Sequence, residues 1–207
     1  EYTLHVISKK KLTQEVILLS FERPHDLSFT PGQYGMIKVE DQGTFKWRAY
    51  SLLNAPSKKD SLEFCIKLIN KGFASQFIQK ISVGDTATIK VPFGFFKFRE
   101  EQDFHTFIAV GTGVVPFHSM LFEYVHQYPQ KKFKLIFGAK TQQDLLFDQE
   151  FKALQAKYPH FTYDVVLSRQ SWEGKMGRVQ EHLKYHLQGL FYICGLNAMI
   201  EDVSKIL

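Results

Sequence analysis

The sequence predicts a two-domain fold, an antiparallel β-barrel over residues 1–100 followed by an α/β domain with a parallel sheet over residues 101–207. Three observations lead there. Before Glu101 the chain reads as short alternating or β-branched segments parted by Pro, Gly, Asn and Asp, the pattern of successive antiparallel strands. After it, apolar runs alternate with amphipathic segments of helical spacing, four pairs in a row, which describes strand–helix units laid into a parallel sheet. At 207 residues and 44% hydrophobic side chains there is apolar material for two cores.

The elements follow in order. "LHVISKKKL" (4–12), "EVILLSFERP" (15–24), "YGMIKVE" (34–40), "KWRAYSLL" (46–53), "LEFCIKLI" (62–69) and "DTATIKVPF" (85–93) are strands of the length a small barrel uses. Among them only "FASQFIQKI" (73–81), just after Gly72, has helical spacing. In the second half "HTFIAVG" (105–111) leads to a helix over "PFHSMLFEYVHQ" (116–127), and "KFKLIFGA" (132–139) to one over "DLLFDQEFKALQAKY" (144–158). "FTYDVVLS" (161–168) leads to "VQEHLKYHL" (179–187), and "LFYICGL" (190–196) to "NAMIEDVSKIL" (197–207).

Composition narrows the classes. A net charge of +5 and a pI near 9.0 favour an acidic or nucleotide partner. The aromatics sit inside strand and helix runs and no basic stretch is interleaved with them, so nucleic acid is not expected as a partner. Cys65 and Cys194 are the only cysteines and lie far apart, which leaves no disulfide framework and no iron–sulfur or zinc ligand set; no metal is expected. This cysteine usage points to a reduced, cytoplasmic setting. No apolar run approaches the length of a transmembrane helix and no signal peptide is expected.

Three stretches carry chemistry. In "GTGVVPF" (111–117), Gly111 and Gly113 permit a tight turn and close backbone approach, Thr112 offers a hydroxyl, and Pro116 suits a first helical turn whose free amides would face an anion. By itself it reads equally as a plain turn. In "WRAYS" (47–51), Arg48 and Tyr50 share a strand face and offer a guanidinium fork beside a flat ring. "KGFASQF" (71–77) puts Gly72 and Ser75 at a helix start, a second place for phosphate.

Together these resemble the ferredoxin–NADP reductase family. "RAYS" (48–51) resembles its Arg-x-Tyr-Ser flavin motif, "GFAS" (72–75) its second flavin-phosphate motif, "GTGVVPF" its nicotinamide-dinucleotide turn, and "YICG" (192–195) followed by Met199 its late strand-and-helix motif. The four fall in the family's order along almost the whole chain. The resemblance implies an FAD-binding barrel followed by a Rossmann-like NAD(P)-binding domain.

Residue by residue, it implies that Arg48 holds the flavin pyrophosphate, Tyr50 stacks on the isoalloxazine, and Ser51 hydrogen-bonds near N5. Cys65, Ile66 and Lys67 match the stretch lining the ring and ribityl chain, although Cys65 and Lys67 read equally well as a small core residue and a solvated charge. Gly72 and Ser75 complete the phosphate site. Gly111, Thr112, Gly113 and Pro116 cradle NADPH or NADH, and Cys194 with Gly195 orients the nicotinamide. Ser168 and Arg169 match residues at the adenosine end, where an arginine facing a 2′-phosphate favours NADPH; Lys175 and Arg178 add positive charge there. His118 and Val115 depart from the family's usual arginine and small residue, and His118 reads as a helix-surface residue.

The implied activity is hydride transfer between NAD(P)H and bound FAD, with Tyr50, Ser51 and Cys194 at the reacting groups. Electrons then pass to a second acceptor such as ferredoxin, flavodoxin or an oxygenase component. The alternatives are an NAD(P)H–flavin reductase and a non-catalytic flavin- or nucleotide-binding subunit.

Overall fold

The structure is a computed structural model of the 207-residue chain and describes residues 1–41, 43–183 and 188–207. It divides into two compact units, Glu1–Phe98 with His118–Met120, and Arg99–Phe117 with Leu121–Leu207.

In the first unit, β1 (Tyr2–Lys11), β2 (Val16–Phe21), β3 (Tyr34–Asp41), β4 (Thr44–Ser51), β5 (Leu62–Lys67) and β6 (Thr86–Phe93) form one antiparallel sheet in the order β4-β3-β6-β1-β2-β5. An isolated bridge between Leu52 and Phe64 brings the two edges together and gives the sheet its barrel curl. The alternation read from the sequence places Leu4, Val6, Leu19, Phe21, Ile37, Val39, Phe64 and Ile89 inward as one apolar cluster. Enclosing each large side chain contributes roughly 1.5–3 kcal/mol.

Helix α1 (Phe73–Lys80) closes one end of this core with Ile78, and Lys80 at its C-terminal turn is paired with Asp41 at 3.1 Å. Arg23, buried within the unit, was not singled out by the sequence. Its guanidinium donates to the carbonyls of Pro56, Lys58 and Leu27 at 2.7–3.1 Å and so ties together two loops.

The second unit holds β7 (Phe104–Val110), β8 (Lys132–Ala139), β9 (Phe161–Leu167), β10 (Lys175–Met176) and β11 (Leu190–Cys194), all parallel, in the order β10-β9-β8-β7-β11. Strands β7 and β8 are buried along nearly their whole length, the mark of a sheet covered on both faces, which is why they read as continuous apolar runs. The helices are α2 (Val115–Tyr124), α3 (Asp148–Lys157) and α4 (Asn197–Ile206).

Three predicted details are corrected, and one strand is added. Helix α3 starts at Asp148 rather than Asp144, because Thr141 and Asp144 bond reciprocally (Thr141 Oγ1 to Asp144 Oδ2, 2.8 Å) to close a separate 3-10 turn, and Phe147 then adopts a left-handed φ of 58° that breaks the helical path. The predicted helix over 179–187 is, in its described part, a 3-10 turn at Val179–His182; residues 184–187 lie outside the described residues. Strand β10 was not predicted, since two residues carry no periodicity. His118 is not a surface residue: it is 8% exposed, and its Nδ1 lies 3.1 Å from the carbonyl of Leu53 within the first unit.

Candidate functional site

On the barrel, the residues of "WRAYS" lie on β4, at the edge of the sheet. In the β3–β4 ladder Arg48 stands opposite Ile37, Lys46 opposite Val39 and Tyr50 opposite Gly35. Ile37 and Val39 are fully buried in the core, and residues opposed across an antiparallel ladder share a face, so Lys46, Arg48 and Tyr50 all lie on the inner side of the sheet. A Cβ on Gly35 would come within 3.1 Å of the Phe64 ring, so glycine here leaves the position opposite Tyr50 clear. Tyr50 packs against the core; burial raises its pKa, with the neighbouring Arg48 guanidinium opposing, and its hydroxyl is neutral at physiological pH.

Arg48 is half-buried. It spends one donor on the carbonyl of Trp47 (Nη1 to O, 3.0 Å) and has no carboxylate partner among the described residues. Most of the fork is therefore available to an anion. Helix α1 begins at Gly72 without a side-chain cap and without an acidic residue in its first turn, so its N-terminal amides and the positive end of its dipole are left for an anion as well. These features fit a flavin that carries phosphate.

The other proposed flavin residues differ in what they can offer. Ser75 is buried, and its Oγ accepts from the amide of Ile69 at 2.7 Å, pinning the turn that leads to Gly72; its hydroxyl proton is still free to donate. Ile66 points into the barrel core, so only its backbone can face a ligand. Cys65 projects from the opposite face of β5 yet is 5% exposed, and burial pushes its thiol up to about 12, so it stays protonated. Lys67 is exposed and paired with Glu15 at 3.4 Å. Ser51 opposes Tyr34 and precedes a buried segment, Leu52–Ala55, fixed by Asn54, whose side chain bonds the carbonyl of Ser61 (2.9 Å) and the amide of Glu63 (3.1 Å). Sequence reading missed Asn54; the one signal was an amide directly after two leucines.

In the second unit the sheet runs outward from β7 through β8, β9 and β10, then returns to place β11 on the other side of β7. Ligands of such sheets bind beyond the carboxyl ends of the strands at this reversal. The "GTGVVP" turn and Cys194–Gly195 both lie there, since Cys194 pairs with Ala109 at the ends of β11 and β7. The turns touch: a Cβ on Gly113 would overlap the carbonyl of Cys194 and reach within 2.7 Å of Gly195 Cα. Gly195, at φ +150°, leaves no room either, for a Cβ there would meet Val110 and, at 3.0 Å, Met199.

Gly111 has φ +55° and open space where a Cβ would stand. The 3-10 turn Gly111–Val114 runs into α2 with Pro116 in its first turn, no side-chain cap and no acidic residue at its start. The result is an uncapped helix start behind a bare backbone turn, which fits the pyrophosphate of a dinucleotide. Burial raises the pKa of half-buried Cys194, so its thiol is neutral and unactivated.

Ser168 and Arg169 follow β9 on the same end of the sheet. The Ser168 and Arg169 amides donate to the carbonyls of Ala139 (3.0 Å) and Lys140 (2.9 Å), which fixes their backbone, while the Arg169 side chain is exposed and makes no ion pair among the described residues. Lys175 does not supply the free positive charge expected of it. It is held by Asp164 at 2.6 Å, and although burial tends to raise the Asp164 pKa, bonds from Lys175 and Lys134 outweigh it and keep the carboxylate ionised. No helix among the described residues is long and apolar enough to cross a membrane.

A barrel with an anion-ready edge, followed by a parallel sheet with a nucleotide turn at its reversal point, defines the class of two-domain flavin- and nicotinamide-dependent oxidoreductases. The comparisons agree: residues 3–98 match the oxidoreductase FAD-binding domain and residues 107–205 the oxidoreductase NAD-binding domain. The chain is similar to the anthranilate 1,2-dioxygenase electron transfer component of Acinetobacter baylyi (35% identical; 86% of this chain, 53% of that protein). It is also similar to ferredoxin–NADP reductase B of Sorangium cellulosum (28% identical; 99% and 90% covered). Among solved structures, the ferredoxin NADP⁺ reductase of Neisseria gonorrhoeae with bound FAD and NADP superposes with a TM-score of 0.87 at 26% identity, over 99% of this chain and 89% of that one. The chain belongs to the ferredoxin–NADP reductase-like family. It spans little more than half the length of its oxygenase relatives, 53% and 54% for two of them.

Proposed function

We propose that the protein is an FAD-dependent NAD(P)H oxidoreductase whose barrel holds FAD and whose α/β unit binds NADPH or NADH, and that it delivers electrons to a second acceptor. The observation that carries this reading is the convergence of Gly113 with Cys194 and Gly195 at the sheet reversal, in a chain whose barrel presents Arg48 without a carboxylate partner among the described residues. Bound flavin supplies the chemistry, accepting a hydride from the dinucleotide and releasing electrons singly or in pairs.

The residues hold and orient. Arg48 and the start of α1 bind the flavin phosphates, Tyr50 lies along the ring, and Ser51 bonds near its reactive edge. Gly111, Thr112, Gly113 and Pro116 bind the dinucleotide pyrophosphate. The neutral Cys194 thiol packs beside the nicotinamide without taking up a proton, and no acid–base pair is required.

The similarity to oxygenase electron-transfer components favours an oxygenase component as acceptor, with ferredoxin or flavodoxin as the alternative carriers; the charge of +5 favours an acidic partner through steering. A cytoplasmic setting belongs to the same reading and is supported by two free cysteines. The reading is tested by reconstituting the protein with FAD and following oxidation of each dinucleotide with ferricyanide as acceptor; no turnover with either sinks it.

Arg169 is proposed to face the adenosine end. Arg169→Ala is expected to raise KM for NADPH about ten-fold or more, in line with loss of a charge-assisted bond to phosphate, and to change KM for NADH by roughly two-fold at most. Equal effects on the two would remove the case for 2′-phosphate recognition.

A further inference from the structure

We infer that Lys46, which none of the flavin motifs contains, is a specificity-determining residue that binds the second phosphate of the flavin and so selects FAD over FMN; this rests on the flavin reading above. Three observations carry it. Lys46 and Arg48 lie two residues apart on the inner side of β4, opposite the fully buried Val39 and Ile37. The Lys46 ammonium stands 5.0 Å from the centroid of the Phe73 ring, and Phe73 is the first residue of α1, so the cation is parked at the helix start that Gly72 opens. Finally, Lys46 makes no ion pair among the described residues, whereas Lys38 on the adjacent β3 pairs with Glu40, and Lys90 on β6 and Lys67 on β5 pair with Glu1 and Glu15.

Spacing decides what such an arrangement recognises. Residues i and i+2 of a strand are roughly 7 Å apart. Cations at that spacing, one of them beside a helix start, are spread too widely to crowd on one phosphate and suit a group with two linked phosphorus centres. Arg48, with its fork, serves the phosphate common to FMN and FAD. Lys46, a mobile point charge, serves the one that only FAD has.

The test is titration of FAD and of FMN into flavin-free wild-type, Lys46→Gln and Lys46→Arg protein, read by quenching of flavin fluorescence, with thermal melts of each apoprotein as a check on folding. Lys46→Gln is expected to weaken FAD about five- to ten-fold and FMN by less than about two-fold, with Lys46→Arg close to wild type. Unchanged FAD affinity in Lys46→Gln, or equal weakening of both flavins, overturns the role of Lys46 while leaving the flavin site standing. Failure of wild-type protein to bind either flavin overturns the flavin reading and this inference with it.

Discussion

Gly113→Ala is expected to cost at least about 3 kcal/mol of stability and to lower kcat/KM for the dinucleotide by more than ~100-fold, the larger part of the damage being positional. The reason is steric. An added Cβ would overlap the carbonyl of Cys194 and sit 2.7 Å from Gly195 Cα, and both obstacles are backbone that no rotamer change can clear. The end of β11 must then part from the end of β7, which opens the turn that cradles the dinucleotide. Gly111→Ala is the informative contrast. Its Cβ would meet nothing, and its cost comes only from φ +55°, about 1 kcal/mol. Thermal melts and steady-state kinetics of the two variants separate the explanations; a Gly113→Ala protein that melts and turns over like Gly111→Ala would show that the close approach is not needed.

Arg48→Ala is expected to be purified largely without flavin, with FAD affinity reduced roughly 30- to 150-fold. That corresponds to about 2–3 kcal/mol for bidentate, charge-assisted bonds to phosphate in a half-buried place. The structure predisposes the site to this sensitivity, because among the described residues the guanidinium has only the carbonyl of Trp47 as hydrogen-bond partner and loses little else on binding an anion. Arg48→Lys restores charge without the fork and is expected to fall between the two. Full flavin occupancy in Arg48→Ala would place the phosphates elsewhere.

Much of this architecture was legible from local pattern. The barrel strands were marked by alternating or β-branched segments between turn residues, and β7, β8, β9 and β11 by short apolar runs followed by helical or turn segments. What was not legible depended on contacts far along the chain. Strand β10 exists only because Lys175 and Met176 meet Val166 and Leu167. The late start of α3 rests on the Thr141–Asp144 bond and on the left-handed turn at Phe147, both invisible to an amphipathic count. His118 looked like a polar residue on a helix surface and is instead buried with a carbonyl partner. Lys131, buried with its ammonium on the carbonyls of Glu100 and Gln102 at 2.7 and 2.8 Å, gave no warning in sequence, since a lysine in a turn is ordinarily solvated.

The candidate site shows the same division. The glycine turn and the Arg48–Tyr50 pair stood out through their order along the chain together with "GFAS" and "YICG", since each alone reads as a plain turn or an ordinary strand. That Gly113 meets Gly195 requires the sheet order, in which a strand from the end of the chain returns beside the first. Lys46 escaped notice because a lysine on a strand is common, and only its register with Val39 and its place over Phe73 give it a role.

The central claim is tested most directly by mixing the FAD-loaded protein with NADPH, and separately with NADH, under anaerobic conditions in a stopped-flow spectrophotometer. Bleaching of the oxidised-flavin absorbance within a catalytically competent time by at least one dinucleotide is the expected result, and the faster of the two identifies the preferred donor. Stoichiometrically bound FAD that neither dinucleotide reduces would contradict the assignment and leave the protein a flavin-binding subunit without reductase activity.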